Sequence, residues 1–234
     1  MDKSKDIFGT AIKAYYNEND NTDISVHSPD FDDDIIPVDY LFRSLEEMPL
    51  IERTAIKSSS GKVLDVGCGA GSHALELQKN RDLEIHAIDT SEGAIEIAKM
   101  RGVSNAETKD FFQIKNEEYD TILLLMNGSG IIGKLENLDA FFTHCRTLLK
   151  ENGQVLMDSS DLIYLFDDED IPDDNYYGEL QFRISYKGLE SDEFDWLYID
   201  PERLKISAEQ NGFQFEIIEK GENHDYLAKL TLQS

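Results

Sequence analysis

The 234-residue chain lacks most of what marks a secreted, membrane-embedded or nucleic-acid-binding protein. It has two cysteines, Cys68 and Cys145, too few for a disulfide framework. No apolar run approaches the roughly 18 residues of a membrane-spanning helix. The opening stretch, MDKSKDIFGTAIKAYY, has no apolar centre of a secretory signal. These absences point to a cytoplasmic chain. Positive charge is scarce: 22 Lys and Arg face 48 Asp and Glu, for a net charge of −26, and no basic cluster stands out. Proteins that grip nucleic acid need Lys and Arg against phosphate, so nucleic acid is excluded as a partner. The five histidines (His27, His73, His86, His144 and His224) show no HxxxH or HxH spacing, and no metal site is expected. There is no GxSxG elbow for a serine hydrolase and no Gly-Lys-Ser/Thr ending of a Walker loop.

What the chain does have is KVLDVGCGAGSHALEL, Lys62 to Leu77. A short apolar strand (Val63, Leu64, Asp65, Val66) runs into Gly67, Gly69 and Gly71, and a helix with Ala74, Leu75 and Leu77 on its apolar side follows. Glycine lets backbone turn sharply and lets a ligand approach the main chain. The exposed N–H groups of a helix start then favour an anionic or strongly polar group. A dinucleotide fingerprint, GxGxxG, would require a third glycine at position 72, where this chain has Ser72. A second strand, Leu83 to Ile88, ends in Asp89, about 20 residues after the glycines, where Rossmann-like folds place an acid on ribose. Thr90 or Ser91 then caps a helix with Ala94, Ile95, Ile97 and Ala98 inward.

The pairing of Asp65 with GxGxG, followed by Asp89, resembles motif I and the ribose acid of the class I S-adenosylmethionine-dependent methyltransferases. The segments DYLFRSLEEMPLIERTAI, MNGSGIIG and DSSDLIYLF resemble a small bacterial subgroup of that family. The resemblance implies S-adenosyl-L-methionine as cofactor, with S-adenosyl-L-homocysteine as product. Carried onto this chain, it assigns the cofactor to Asp65, Gly67, Cys68, Gly69, Gly71, His73, Asp89 and Thr90, with Asp110 and Phe111 (or Phe112) at the adenine. Met126 and Asn127, at the end of the apolar run YDTILLLMN, should line the site, because ligands bind at the carboxyl ends of parallel strands. Tyr15, Tyr16, Phe42 and Arg43 are candidates for a lid, and Arg43 suits the cofactor carboxylate through a bidentate pair or, equally, a surface ion pair.

The fold class that follows is α/β: a Rossmann-like three-layer sandwich with a mostly parallel seven-stranded sheet, an antiparallel last strand and an N-terminal helical cap. Residues 1–60 are expected to form the cap and 61–234 the cofactor domain, with an insertion at about 161–200. A strand is expected from Val103, a helix over Leu138 to Leu149, a stop and turn at Lys150 to Gly153, and a strand at Gln154 to Asp158. A helix from Pro201, capped by Asp200, and antiparallel strands Phe213 to Glu219 and Tyr226 to Leu232 complete the series. Glu179 to Lys187 reads as a strand, and Trp196 with Phe194 and Tyr198 reads either as core or as a surface stacking on a flat substrate.

The function implied is direct methyl transfer to a small molecule, the accepting atom left open. No Asn/Asp-Pro-Pro-Tyr/Phe tetrad is present to grip a planar amide or base. The acidic runs Asp30 to Asp34 and Asp167 to Asp174 read either as solvated loops or as a rim attracting a cationic or amine acceptor. Candidate bases are Tyr15, Tyr16, His27, Asp158 and Asp161, and no catalytic residue is singled out. Oligomeric state is also left open. Two other classes compete: a non-catalytic cofactor-binding or regulatory protein, and an NAD(P)-dependent Rossmann oxidoreductase, against which Ser72 and the antiparallel strand argue.

Overall fold

The structure, a computed structural model, describes residues 5–29, 31–166 and 176–233. In chain order its elements are α1 (Ile7–Glu18), β1 (Ile24–His27), β2 (Asp34–Ile36), α2 (Leu50–Ser58), β3 (Lys62–Val66), α3 (Ser72–Leu77), β4 (Glu84–Asp89), α4 (Glu92–Arg101) and β5 (Ala106–Thr108). There follow β6 (Tyr119–Leu124), α5 (Leu138–Leu148), β7 (Leu149–Ser160), β8 (Glu179–Tyr186), β9 (Leu189–Glu190), β10 (Phe194–Leu197), α6 (Pro201–Gln210), β11 (Phe213–Lys220) and β12 (Asp225–Leu232). Seven strands form a sheet in the order β11-β12-β7-β6-β3-β4-β5. The pairs β4–β5 and β6–β7 are parallel, while β12 runs antiparallel to both β7 and β11. This is the mostly parallel Rossmann-like sheet with an antiparallel last strand.

The described residues gather into two compact units. The first comprises Met1–Met48, Leu64–Ile114 and Gln181–Phe194. Here α1 crosses α4 where two glycines meet: a Cβ on Gly93 would lie 2.7 Å from the Gly9 Cα. Asp6 serves both helices, its Oδ1 accepting from the Gly9 N–H (2.9 Å) and its Oδ2 from the Gly93 N–H (3.0 Å). Ile12 of α1 packs with Ala70, Ala94 and Ile97, and Leu41 and Phe42 close over them. Ser91 rather than Thr90 caps α4, accepting from the Ala94 N–H at 2.9 Å. At the far end Gly102 adopts φ +108° and the Val103 N–H turns back to the Ala98 carbonyl. That helix stop consumes Val103, so the strand expected there begins only at Ala106.

The segment expected as a helical cap also carries strands. β1 pairs antiparallel with β2 and with β8, Val26 opposite Ile184, in a second sheet ordered β10-β8-β1-β2 with β9 on β8. Ile24 and Ile184 face a cluster with Ile7 and Ala11 of α1, which places Ser25, His27 and Ser185 on the opposite face. Of the run DFDDD, Asp34 opens β2 and Asp33 pairs with His27, while Asp30 lies outside the described residues.

The second unit comprises Pro49–Val63, Lys115–Leu180 and Asp195–Ser234. Its core is built from β6, β7 and β12 with α5: Ile122, Leu123, Phe141, Phe142, Val155, Leu156, Leu227 and Leu230 are fully buried. Lys150 to Gly153 is not a separate turn. It lies inside β7 as an irregularity, where the register slips between Tyr119 and Thr121 and Asn152 takes φ +66°. The Lys150 ammonium pairs there with the Asp120 carboxylate at 2.6 Å. Trp196 packs against Gly130 so closely that a Cβ there would overlap its indole, yet Trp196, Phe194 and Tyr198 are all half-buried rather than core. The run Asp167 to Asp174 lies outside the described residues.

Candidate functional site

In the first unit the site is built from the loop after β3 and the ends of β4 and α4. Gly67, Gly69 and Gly71 all take positive φ (+70°, +52° and +83°), which only glycine adopts without cost. Their surroundings divide them. A Cβ on Gly67 or Gly69 would meet nothing within 4 Å, whereas one on Gly71 would lie 2.6 Å from the Val103 side chain and 3.2 Å from that of Ala98. Gly71 is therefore a packing glycine, and Gly67 and Gly69 line open space. The loop is tied by the Cys68 N–H to the Ile88 carbonyl (3.0 Å) and by the Gly71 N–H to the Cys68 carbonyl (2.8 Å).

Asp89 lies against this loop. One carboxylate oxygen accepts from the Gly69 N–H at 2.9 Å, the other from the Ser91 N–H at 2.8 Å. Burial raises its pKa, opposed by the Ser91, Gly69 and Thr90 N–H groups, while the nearby Asp6 charge raises it further. Asp65 is more deeply enclosed. Burial pushes its carboxyl up to about 6, offset in part by the charge of His73, and its Oδ2 has no hydrogen-bond partner. His73 is itself buried at the start of α3, so its position beside the glycine loop comes with an acid neighbour. Cys68 is buried too, and burial lifts its thiol well above the usual range, which argues against a nucleophile. Asp110 accepts from the Phe112 N–H at 2.9 Å and so caps a turn. Phe111 enters the core and Phe112 is the exposed ring.

The lid candidates also lie in this unit. Phe42 contacts Tyr15 (centroids 4.5 Å apart) and stacks with Tyr16 (6.4 Å). Arg43 is buried: its guanidinium lies 3.9 Å over the Tyr40 ring and donates to the Tyr40 carbonyl. His27 has both ring nitrogens engaged, with Asp33 Oδ2 at 2.9 Å and Ser185 Oγ at 2.8 Å. Two residues gave no sequence signal for a role here. Asp6 reads as an ordinary helix cap, and Arg101 as a basic residue closing α4, yet Arg101 donates to the Ala70 carbonyl inside the glycine loop (2.6 Å).

The second unit holds Met126 and Asn127. Both are left-handed, with φ +66° and +59°. Asp158 at the end of β7 holds them there: its Oδ2 accepts from the Met126 N–H (3.1 Å) and its Oδ1 from the Gly128 N–H (2.7 Å). Asp158 is thus a loop clamp. Asp161 caps the turn after β7 through the Ile163 N–H and accepts from the Tyr177 hydroxyl at 2.8 Å.

The methyltransferase domain family matches residues 57–211, about two thirds of the chain. The chain belongs to that family. A crystal structure of a S-adenosylmethionine-dependent methyltransferase from Bacteroides fragilis, in complex with S-adenosyl-L-homocysteine, is 48% identical, with a TM-score of 0.94 over 100% of this chain and 98% of that one. A protein named as a methyltransferase in Geobacillus sp. (strain WCH70) is 28% identical over 108 residues, 44% of this chain and 43% of its own. The biotin biosynthesis bifunctional protein BioHC of Saccharophagus degradans is 23% identical over 167 residues, 69% of this chain and 28% of its own. The match thus spans less than half the length of these two curated relatives. For a methyltransferase-family chain, the glycine loop with Asp65 and Asp89 is where a methyl donor is sought. The residues present fit one: open space over Gly67 and Gly69, an unpartnered Asp65 oxygen, and an acid lying under the loop. Among the described residues no cluster of His, Cys, Asp and Glu suits a metal ion, and no helix is long and apolar enough to cross a membrane.

Proposed function

We propose that this chain is a S-adenosyl-L-methionine-dependent methyltransferase that transfers its methyl group by direct displacement to a small-molecule acceptor. The observation that carries this reading is the pair Gly67 and Gly69, open where side chains would otherwise stand and backed by Asp89. When bound, the sulfonium cofactor supplies an electrophilic methyl carbon. The protein's part is to bind, orient and exclude water. Asp89, a carboxylate with two acceptor oxygens, suits the ribose diol. Asp65, His73, Cys68, Gly71 and Thr90 surround the loop, Asp110 and Phe111 serve the adenine end, and Arg43, Met126 and Asn127 are the remaining cofactor residues. Residues 1–60 act as the cap, and the insertion 161–200 recognises the acceptor.

The large negative charge supports a cationic or amine acceptor over nucleic acid, and two cysteines, too few for a disulfide framework, support a cytoplasmic setting. Calorimetry with S-adenosyl-L-methionine, S-adenosyl-L-homocysteine and NADH tests the reading. Binding of the first two and not the third is the expected result, and binding of NADH alone would overturn it. Asp89→Ala should weaken S-adenosyl-L-homocysteine by at least roughly 100-fold, as expected for a charge-assisted pair of hydrogen bonds. Unchanged affinity would remove Asp89 from the ribose. Turnover across a panel of amines, phenols and thiols then identifies the accepting atom.

A further inference from the structure

Arg101 ends α4 and makes three hydrogen bonds to chain segments far from it in sequence. Its Nη1 donates to the Ala70 carbonyl (2.6 Å) and to Ser72 Oγ (3.2 Å), and its Nη2 to the Phe42 carbonyl (3.2 Å). The guanidinium carbon also sits 4.8 Å over the Phe42 ring. Ser72, buried where a dinucleotide fingerprint would have glycine, donates a hydrogen bond from its own hydroxyl to the Leu41 carbonyl at 2.9 Å. Leu41 and Phe42 belong to the short helical turn Val38–Phe42.

Ala70 stands between Gly69 and Gly71, both at positive φ, so its peptide planes are flanked by the two most permissive residues of the loop. The Ala70–Gly71 plane is tied on one side by the Gly71 N–H to the Cys68 carbonyl, and Arg101 holds its other side at the Ala70 carbonyl. A planar guanidinium with five fixed donors is suited to hold one carbonyl of the loop and one of the turn together. Burial lowers the Arg101 pKa without removing its charge at neutral pH, so these bonds remain charge-assisted.

We propose that Arg101, with Ser72 as its relay, is a positioning residue for the methyl donor: it fixes the glycine loop and couples it to the Leu41–Phe42 turn. Loop and turn then order as one piece, and donor binding does not have to order them separately. The proposal rests on the loop being the donor site.

The test is calorimetry of S-adenosyl-L-homocysteine with the full-length wild type, Arg101→Gln, Arg101→Lys, Ser72→Ala and the double variant, alongside hydrogen exchange of peptides covering 38–48 and 66–74. Wild type must bind first; failure to bind would overturn the donor site itself and this proposal with it. Arg101→Gln should weaken binding roughly 10-fold or more, and exchange in both peptides should rise together. Arg101→Lys should rescue less than half of that loss on a logarithmic scale, because a point charge spans only one of the two carbonyls. Ser72→Ala should cost less, and the double variant should fall short of the product of the two single effects. Equal affinity for wild type and Arg101→Gln, or faster exchange in 66–74 with 38–48 unchanged, would overturn the coupling while leaving the donor site standing. Should Arg101→Gln fail to fold, wild-type exchange decides. Protection of both peptides by S-adenosyl-L-homocysteine is expected, and protection of 66–74 alone would overturn the proposal.

Discussion

Two loops in this protein follow a buried strand and run through left-handed backbone, and they reach that conformation by different means. After β3, residues 67, 69 and 71 are glycine, and the geometry carries no steric cost. After β6, the left-handed residues are Met126 and Asn127, and the Asp158 carboxylate holds the N–H groups on either side of Asn127. Asparagine tolerates this region, but an unbranched side chain such as Met pays roughly 1–2 kcal/mol for it. The first loop keeps side chains out of the space it surrounds. The second keeps its side chains and is restrained from outside. The difference separates a loop selected for open space from one selected for the groups it presents.

The comparison breaks most visibly at Gly69. Gly69→Val places a β-branched residue at φ +52° and fills the open space, so S-adenosyl-L-homocysteine affinity should fall by roughly 1,000-fold or more. Calorimetry on protein with a folded circular dichroism spectrum checks this, and a loss under tenfold would contradict the cradle.

Asp158→Ala should come next, destabilising the fold by about 3 kcal/mol, since one buried N–H and one partly buried N–H lose a charged acceptor. Asp158→Asn should recover part of that, because one acceptor oxygen remains. Denaturant melts that leave the Ala variant within about 0.5 kcal/mol of wild type would show that the clamp is not what holds the loop.

Asp65 sharpens the contrast between an acid whose two oxygens both clamp backbone and one that meets the Ala74 N–H but leaves its Oδ2 unpartnered. Its folded pKa, about 6, lies above the ordinary value of 3.8. The raised value means that the protonated carboxyl favours folding below pH 3.8, and that this contribution is lost as pH rises through about 6. Across that window it amounts to at most about 3 kcal/mol. Asp65→Asn should remove it, so stability of the variant relative to wild type should improve from pH 4.5 to pH 7. Parallel stability curves would show that Asp65 is charged and satisfied at both ends.

The smallest effect belongs to Met126→Gly. Relief of left-handed strain, set against glycine's larger unfolded-state entropy, should leave stability within about 1 kcal/mol of wild type in the stabilising direction. Combined with Asp158→Ala, it should recover more stability than it adds alone. Simple additivity would mean that the carboxylate and the strain are unrelated.

Local signals made much of this fold legible. The glycine loop, Asp89, the Asp200 cap with proline behind it, and the two closing strands each announce themselves within a few residues. The structure finds Asp200 accepting from the Glu202 and Arg203 N–H groups as that pattern implies. Of the second sheet, β8 was legible as the alternating run Glu179 to Lys187, but β1 and β2 were not. β1 and β2 have four and three residues, too few for a periodic signal, and β1 owes its existence to β8, more than 150 residues later. β2 starts on the last acid of an acidic run, which masked the two isoleucines that follow. At Lys150 to Gly153 the sequence Glu-Asn-Gly reads as a turn, yet β7 continues through it because the flanking residues stay paired with β6. In the site, Arg101 carries an ordinary helix-end signature while its bonds reach 31 and 59 residues away.

The sequence by itself determined the strand–glycine–helix unit and the acid that follows it, because glycine's freedom and a cap's hydrogen bonds act over only a few residues. Tertiary structure alone decided which glycines face open space and which pack. It also decided that Arg101 ties the loop to Phe42, and that Asp158 holds Met126 and Asn127 in a conformation that they would not keep alone. Each of those depends on groups distant in sequence meeting within about 3 Å, a condition set by packing rather than by any local propensity.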